Sequence, residues 1–280
     1  MNVALPPARS VSLFAGVGGL DLGVELAFGT RAVAYCEADP FCAAVLAARM
    51  ADGALGQAPI WSDVRTFDGR ALRGKVDLVA GGSPCQDLSF AGNQAGLAGD
   101  RSGLWFEQLR VVRECEPRFV VWENVGGAIA EALPVVAGGL EDLGFRVAAC
   151  TLRALDVGAP HRRERVFLLA HADRERCEAG GLAGVGPGLD GARGFVADGR
   201  GVSRGRADVL RGGFPSGPRE WRAGDEPKPG VRRGLDGAET WLECSSLRLH
   251  ALGNGVVPQQ AAVALLICWE RLFGAPLHLE

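Results

Sequence analysis

The stretch "VSLFAGVGGLDLG", Val11 to Gly23, decides the fold. It begins with an apolar run typical of a β-strand, continues through Gly16, Gly18 and Gly19, and passes into a segment with helical spacing. A strand that turns directly into a helix is the building unit of parallel α/β sheets. Small residues in such a turn let the backbone approach a ligand closely at the helix N-terminus. The stretch therefore predicts an α/β fold with a ligand site on this loop, although a simple tight turn can have the same composition.

The residues around this loop favour a nucleoside as its ligand. The dinucleotide fingerprint G-x-G-x-x-G would need glycine where the chain has Asp21. Glu37 follows Gly19 by eighteen residues, at the end of the next apolar run. A carboxylate in that place can accept hydrogen bonds from ribose hydroxyls. We therefore expect a nucleoside-bearing cofactor without a pyrophosphate.

Apolar runs alternate with amphipathic segments from Val11 to Ala170, which predicts a doubly wound, mostly parallel sheet covered by helices on both faces. Further runs are "AVAYCE", "VDLVAG", "RFVVWENV", "FRVAACTL" and "RVFLLAHA". Only a loop separates the last two, so they are predicted to pair antiparallel. The α/β character returns at Leu247, and a helix is predicted from Pro258 through Phe273.

The composition changes after Ala170. Between residues 171 and 240, 17 of 70 residues are glycine, against 24 of the other 210. Residues 193–222 contain seven arginines and three acids, which suits contact with a polyanion. A flexible insert from a GC-rich genome is the alternative. We predict two domains, a main one of residues 1–170 with 246–280 and a small, irregular one of residues 171–245.

Whole-chain properties narrow the class of protein. The 280 residues, 48% of them hydrophobic, suffice for a large core. No apolar run reaches the ~18 residues that cross a bilayer, and the start lacks the features of a signal peptide, so we expect a soluble, cytoplasmic protein without a membrane partner. The net charge of −3 argues against binding nucleic acid over the whole surface. Eight cysteines without C-x-x-C or metal-type spacing predict that most of them are reduced, buried thiols and that the chain has no metal site.

A second glycine-rich loop, "GGSPCQDLSFAG", carries a candidate nucleophile. It follows a strand predicted to end near Ala80, so Cys85 lies at the carboxyl edge of the sheet, where open α/β folds bind ligands. Pro84 fixes φ and removes a backbone donor next to it. An unperturbed thiol is only ~3% thiolate at pH 7. Thiolate supply alone is therefore insufficient, and a second group must activate the electrophile.

The stretches "VVWENVGG" and "APHRRERVF" offer such groups. Glu123 and Asn124 follow the next apolar strand and reach the same edge of the sheet. Arg163 and Arg165 precede the last strand, and alternation sends them to the same side. Each has an ordinary alternative, because an acid at a strand end can cap a helix and arginines can form a solvated edge.

In order and spacing, "FAGVGGLDLG", "SPCQ", "ENV", "RRERVF" and "GNGVVP" strongly resemble the motifs of the DNA (cytosine-5) methyltransferase family. The resemblance covers about Ser10 to Ala170 and Leu249 to Phe273. It implies a Rossmann-like methyltransferase fold and S-adenosylmethionine as the cofactor. It also implies methyl transfer to C5 of a cytosine that is flipped out of duplex DNA and bound covalently through C6 to Cys85.

The resemblance also implies roles for single residues. The catalytic residues would be Cys85, Glu123, Arg163 and Arg165. The cofactor-binding residues would be Phe14, Gly16, Gly18, Gly19, Leu20, Glu37, Asp63, Pro84, Asn254, Gly255 and Val256. Residues 171–245 would be the target recognition domain, and the DNA-binding residues would be Gln86, Arg200, Arg204, Arg206 and Arg211. The chain departs from the family at His161, usually glutamine, and at Gly255, often serine or alanine.

Double-stranded DNA is the implied substrate of a monomeric enzyme in a prokaryotic cell or a phage-infected host, with a cognate restriction endonuclease acting separately as a further partner. A tRNA cytosine-5 methyltransferase with similar motifs is one alternative. A catalytically silent DNA-binding subunit is another, disfavoured by the intact cysteine, glutamate and arginines. A nicotinamide oxidoreductase is disfavoured by Asp21.

Overall fold

The computed structural model describes residues 5–84, 103–130, 132–172, 196–198 and 255–277. Within these ranges eight strands form one sheet with the order β3-β2-β1-β4-β5-β7-β6-β8. The strands are β1 (Arg9–Leu13), β2 (Arg31–Cys36), β3 (Ile60–Trp61), β4 (Leu78–Gly81), β5 (Phe119–Val125), β6 (Phe145–Arg153), β7 (Glu164–Ala172) and β8 (Val196–Asp198). The helices are α1 (Gly19–Phe28), α2 (Pro40–Ala51), α3 (Leu104–Cys115), α4 (Ala132–Glu141) and α5 (Pro258–Phe273).

The sheet is parallel except at β7, which runs antiparallel to both β5 and β6. The predicted doubly wound, mostly parallel sheet is confirmed, and so is the antiparallel pairing of the last two predicted strands. The strand order reverses at β1 and β4, which pair in parallel with Leu13 opposite Gly81. Open α/β sheets bind their ligands at the carboxyl ends of the strands beside such a reversal.

Alternation along β4 shows how the two faces are covered. Leu78 and Ala80 belong to the apolar cluster formed with α1 and α5, whereas Val79 belongs to the cluster formed with α3 and α4. Successive side chains of a strand point to opposite faces, so a strand buried on both sides is apolar throughout. This explains the continuous apolar runs of the sequence.

Helix α5 begins at Pro258 and ends at Phe273, as the sequence predicts. Trp269 stacks on Phe119 of β5 with ring centroids 5.6 Å apart, and a side chain on Gly23 of α1 would collide with Ala261. The segment after residue 254 therefore packs against the first helix and the centre of the sheet.

Two further expectations concern side-chain chemistry and membranes. Five cysteines in the described ranges are buried and unbridged, as predicted: Cys36, Cys42, Cys115, Cys150 and Cys268. None of the helices within these ranges has the length and apolar character needed to cross a bilayer.

Candidate active site

The turn between β1 and α1 needs glycine at several positions. Gly16 and Gly18 have φ of 55° and 80°, a region that strains other residues. A Cβ on Gly18 would lie 2.6 Å from a methyl carbon of Leu55, and a Cβ on Gly19 would overlap the carbonyl oxygen of Val256. Phe14 adopts φ of 54° despite its side chain. Such backbone strain concentrates at ligand-binding sites.

The carboxylate of Glu37 is fixed beside this turn. Its Oε2 accepts a hydrogen bond of 2.6 Å from the backbone N–H of Gly16, and its Oε1 accepts one of 2.7 Å from that of Asp39. A carboxylate oxygen can accept a second hydrogen bond. Glu37 is therefore held in one orientation and can still accept hydrogen bonds from the hydroxyls of a ribose.

Asp63 follows the end of the neighbouring strand β3 by two residues. The backbone N–H of Glu37 donates to the carbonyl of Trp61 at 2.8 Å, which brings the segment after β3 next to Glu37. Hydrogen bonds from the backbone and side chain of Arg65 lower the pKa of Asp63. The carboxylate is therefore ionised at neutral pH and available as a hydrogen-bond acceptor.

Trp61 is a residue of this region that the sequence analysis did not single out. It is 48% exposed although it is large and apolar. Its indole N–H donates to Thr66 Oγ1 at 2.9 Å, and its ring meets Phe67 edge to face. The sequence could have pointed to Trp61 only through its position, since it is an aromatic residue two positions before Asp63.

The loop after β4 begins against the end of β5. The side-chain amide of Asn124 donates to the carbonyl of Ser83 at 3.0 Å, and the indole N–H of Trp122 donates to Ser83 Oγ at 3.2 Å. A Cβ on Gly82 would lie 2.8 Å from Glu123 Oε2. The chain therefore leaves the sheet in contact with Glu123, and the exposed Pro84 follows directly.

Glu123 and Arg165 form an ion pair with Oε1 and Nε 3.0 Å apart, and both side chains are at least 87% buried. Burial raises the pKa of Glu123 to about 7, against the opposing charges of Arg165 and Arg163. Desolvation of the carboxylate outweighs its attraction to two cations. Glu123 is thus poised to exchange a proton near neutral pH.

Arg163 lies near enough to Glu123 to interact with its charge, and it contacts the first residue of the last described segment. Its Nη2 donates to the carbonyl oxygen of Gly255. Burial and the neighbouring charge of Arg165 lower its pKa. The guanidinium stays charged at neutral pH because its ordinary pKa lies above 12.

The predicted site residues thus fall into two groups along one edge of the sheet. Around the first loop lie Phe14, Gly16, Gly18, Gly19, Leu20, Glu37, Asp63 and Val256, and around the end of β5 lie Pro84, Glu123, Arg163, Arg165 and Gly255. Outside the described residues lie Cys85, Gln86, Arg200, Arg204, Arg206, Arg211 and Asn254, whose roles stay predictions.

The candidate site thus combines a mostly parallel sheet, a strained glycine turn, a carboxylate fixed beside that turn and a buried glutamate paired with an arginine. The model of the C-5 cytosine-specific DNA methylase family matches residues 8–183. The chain belongs to this family.

Curated relatives extend the comparison. The Type II methyltransferase M.PspPI of Psychrobacter is 38% identical over 60% of this chain and 41% of its own length. The Type II methyltransferase M.AquIA of Picosynechococcus is 36% identical over 58% of this chain and 71% of its own length. Among solved structures, the S. pombe Dnmt2 methyltransferase is 19% identical, with a TM-score of 0.49 over 64% of this chain and 57% of its own. The chain thus spans less than half of M.PspPI.

Proposed function

We propose that this chain transfers a methyl group from S-adenosylmethionine to C5 of a cytosine flipped out of duplex DNA. The single observation that carries the proposal is the buried Glu123, whose pKa is raised to about 7 beside Arg165 and Arg163. A carboxyl group with this pKa can donate a proton at neutral pH, which an ordinary glutamate does not.

The residues around the first loop fit the cofactor. Glu37 would accept hydrogen bonds from the ribose, Asp63 would accept from the adenine amino group, and Phe14 would lie against the ring. Oriented carboxylates at the ends of two adjacent strands support this assignment. When bound, the cofactor supplies a methyl group on a positively charged sulfur, a good leaving group for attack by a carbon nucleophile.

Side chains of this protein carry out the remaining steps. C5 of cytosine is a weak nucleophile, so the thiolate of Cys85 first adds to C6, and Glu123 shares its proton with N3 as the electron pair moves to C5. The enamine-like C5 then takes the methyl group. A base removes the C5 proton, the C6–S bond breaks with release of the thiolate, and N3 returns its proton to Glu123. Protonation by a positioned acid is typically worth 10² to 10⁴ in rate.

Residues 171–245 are proposed as the part that recognises the DNA sequence. Reversing the charge of Arg200, Arg204, Arg206 and Arg211 to glutamate is expected to weaken DNA binding and to flatten its salt dependence. Binding measured from low to high salt checks this. An unchanged slope would remove these arginines from the interface.

The chain is further proposed to act as a monomer in the cytoplasm beside a separate restriction endonuclease, since M.PspPI and M.AquIA are named Type II methyltransferases.

The test of the activity is transfer of labelled methyl groups to duplex DNA, with tRNA as the competing substrate. We expect incorporation into DNA only, trapping on duplexes that contain 5-fluorocytosine, and loss of both in Cys85→Ala. Labelling of tRNA alone would overturn the proposal.

A further inference from the structure

A fully buried glutamine lies where helix α5 meets the sheet. Gln260 is in the first turn of α5 and has no exposed surface. Its Nε2 donates two hydrogen bonds, of 2.7 Å to the carbonyl of Leu152 and of 2.9 Å to the carbonyl of Arg163. One amide group therefore joins the end of β6 to the residue that precedes β7.

Gln260 is a polar residue in an apolar stretch of helix α5. The residues that follow it in the helix, Ala261, Ala262 and Val263, are buried and apolar. Burying an amide is unfavourable unless its hydrogen bonds are made; the Nε2 of Gln260 makes both of its bonds, whereas its Oε1 has no partner among the described residues. The two backbone carbonyls are therefore the reason for glutamine at this position.

Arg163 depends on contacts outside the strand ladder. The last pair between β6 and β7 is Arg153 with Glu164, so Arg163 lies one residue beyond it. Its carbonyl accepts from Gln260 and from the backbone N–H of Ala154 at 3.1 Å. Its guanidinium donates to Gly255. The segment 255–260 therefore holds both the backbone and the side chain of Arg163.

We propose that Gln260 is a positioning residue, which holds the backbone of Arg163 so that the guanidinium faces Glu123 and the target base. The inference rests on the proposed function. The contact of Val256 with Gly19 does not involve the side chain of Gln260. Loss of the amide should therefore slow the reaction of the base far more than it weakens cofactor binding.

The test compares Gln260→Met, of similar length but without donors, with Thr30→Val. Thr30 is equally buried and donates to the carbonyl of Pro7 at 2.7 Å, at the opposite edge of the sheet. We expect Gln260→Met to form the adduct with 5-fluorocytosine DNA at least about tenfold more slowly, since a misplaced group can cost 10² in rate. The KM for S-adenosylmethionine should change less than about threefold, and Thr30→Val should match the wild type.

Thermal unfolding of all variants checks that they are folded. If Gln260→Met does not fold, Gln260→Asn keeps the amide but is one C–C bond, about 1.5 Å, too short to reach both carbonyls, and the same slowing is expected. Trapping at the wild-type rate, or a rise in KM without slower trapping, overturns the positioning role. Failure of the wild type itself to form the adduct overturns the proposed function and this inference with it.

Discussion

Glu123 is buried beside two cations, Arg165 and Arg163. The pH at which it loses its proton decides whether it can act as an acid. The carboxyl group is protonated below its pKa of about 7 and loses the proton above it. Because only the protonated group can donate to N3, we expect the rate of methyl transfer to fall as the pH rises above about 7.

Replacing Glu123 by glutamine should remove the falling limb, because an amide does not titrate in this range. The rate at pH 7 should drop by about 10² to 10⁴. Rates of labelled methyl transfer from pH 6 to 9 measure both effects, with Glu141→Gln on α4 as the control. A falling limb that persists in Glu123→Gln would assign the titration to another group.

Asp21 is a second buried acid, 7% exposed, whose pKa is raised by burial to about 6. The folded protein keeps this proton to a higher pH than the unfolded chain does. The free energy of unfolding must therefore fall as the pH rises from about 4 to about 6 and stay lower above that range. The contribution is about 3 kcal/mol.

Asp21→Asn should lack this part of the pH dependence and be more stable than the wild type at pH 8. Urea unfolding at pH 5 and pH 8 measures it. The contribution of Glu123 is common to both proteins and cancels in the comparison. Asp52→Asn, at an exposed position, should behave as the wild type does, and equal behaviour of the two variants would contradict the prediction.

At the scale of elements, α3 holds the segment that follows Asp63. Arg110 of α3 donates to the carbonyls of Val64 and Phe67 at 2.7 and 2.9 Å. It also pairs with Glu107 and Glu114 on its own helix, at 2.7 and 2.8 Å. These acids keep the guanidinium in place. The helix thereby fixes the turn that carries the proposed adenine contact.

Arg110→Met should loosen that turn and raise the Kd for S-adenosylmethionine about tenfold, which corresponds to about 1.4 kcal/mol. Arg110→Lys should restore only part of the affinity, since a single ammonium does not reproduce the forked geometry. Calorimetric titration gives the Kd. Arg70→Met is the matched control, because Arg70 is exposed and its ion pair is with the exposed Asp68 of the same turn. Equal affinities for the two methionine variants would refute this role of α3.

For the whole molecule, α5 completes the face of the sheet opposite α3 and α4. Four large apolar side chains of α5 are at least 92% buried: Val263, Leu265, Trp269 and Leu272. Burial of each contributes up to about 1.5 to 3 kcal/mol. Together they approach the total stability of a typical domain, about 5 to 15 kcal/mol.

A chain that stops at residue 254 should therefore lose its cooperative thermal transition and bind the dye ANS, which reports exposed apolar surface. A chain that stops at Gly274 keeps α5 and should melt cooperatively. Calorimetry and ANS fluorescence distinguish the two. A cooperative transition of the shorter chain near the wild-type temperature would show that the sheet does not need α5.

The sequence predicted the elements whose signals are local. The apolar run before Glu123 and the proline at position 258 mark a strand end and a helix start within a few residues. Strand β3 has two residues, too few to show an alternating apolar pattern, so it was not predicted. Gln260 and Arg110 were not predicted either, because they reach backbone carbonyls 97 to 108 and 43 to 46 residues away. A residue that binds a distant backbone leaves no pattern in its neighbours.

The direction of β8 has a consequence for the chain between residues 199 and 254. β7 ends at Ala172, at the edge of the sheet away from Glu123, but β8 runs parallel to β6 and brings Asp198 opposite Thr151, close to the catalytic edge. Gly255 lies at that same edge. Asp198 and Gly255, the described residues that flank this part of the chain, thus lie at one rim of the sheet. Under the proposed function, insertions or exchanges in this part of the chain change the DNA sequence that is read without changing strand register, so a new specificity does not require a new reaction centre.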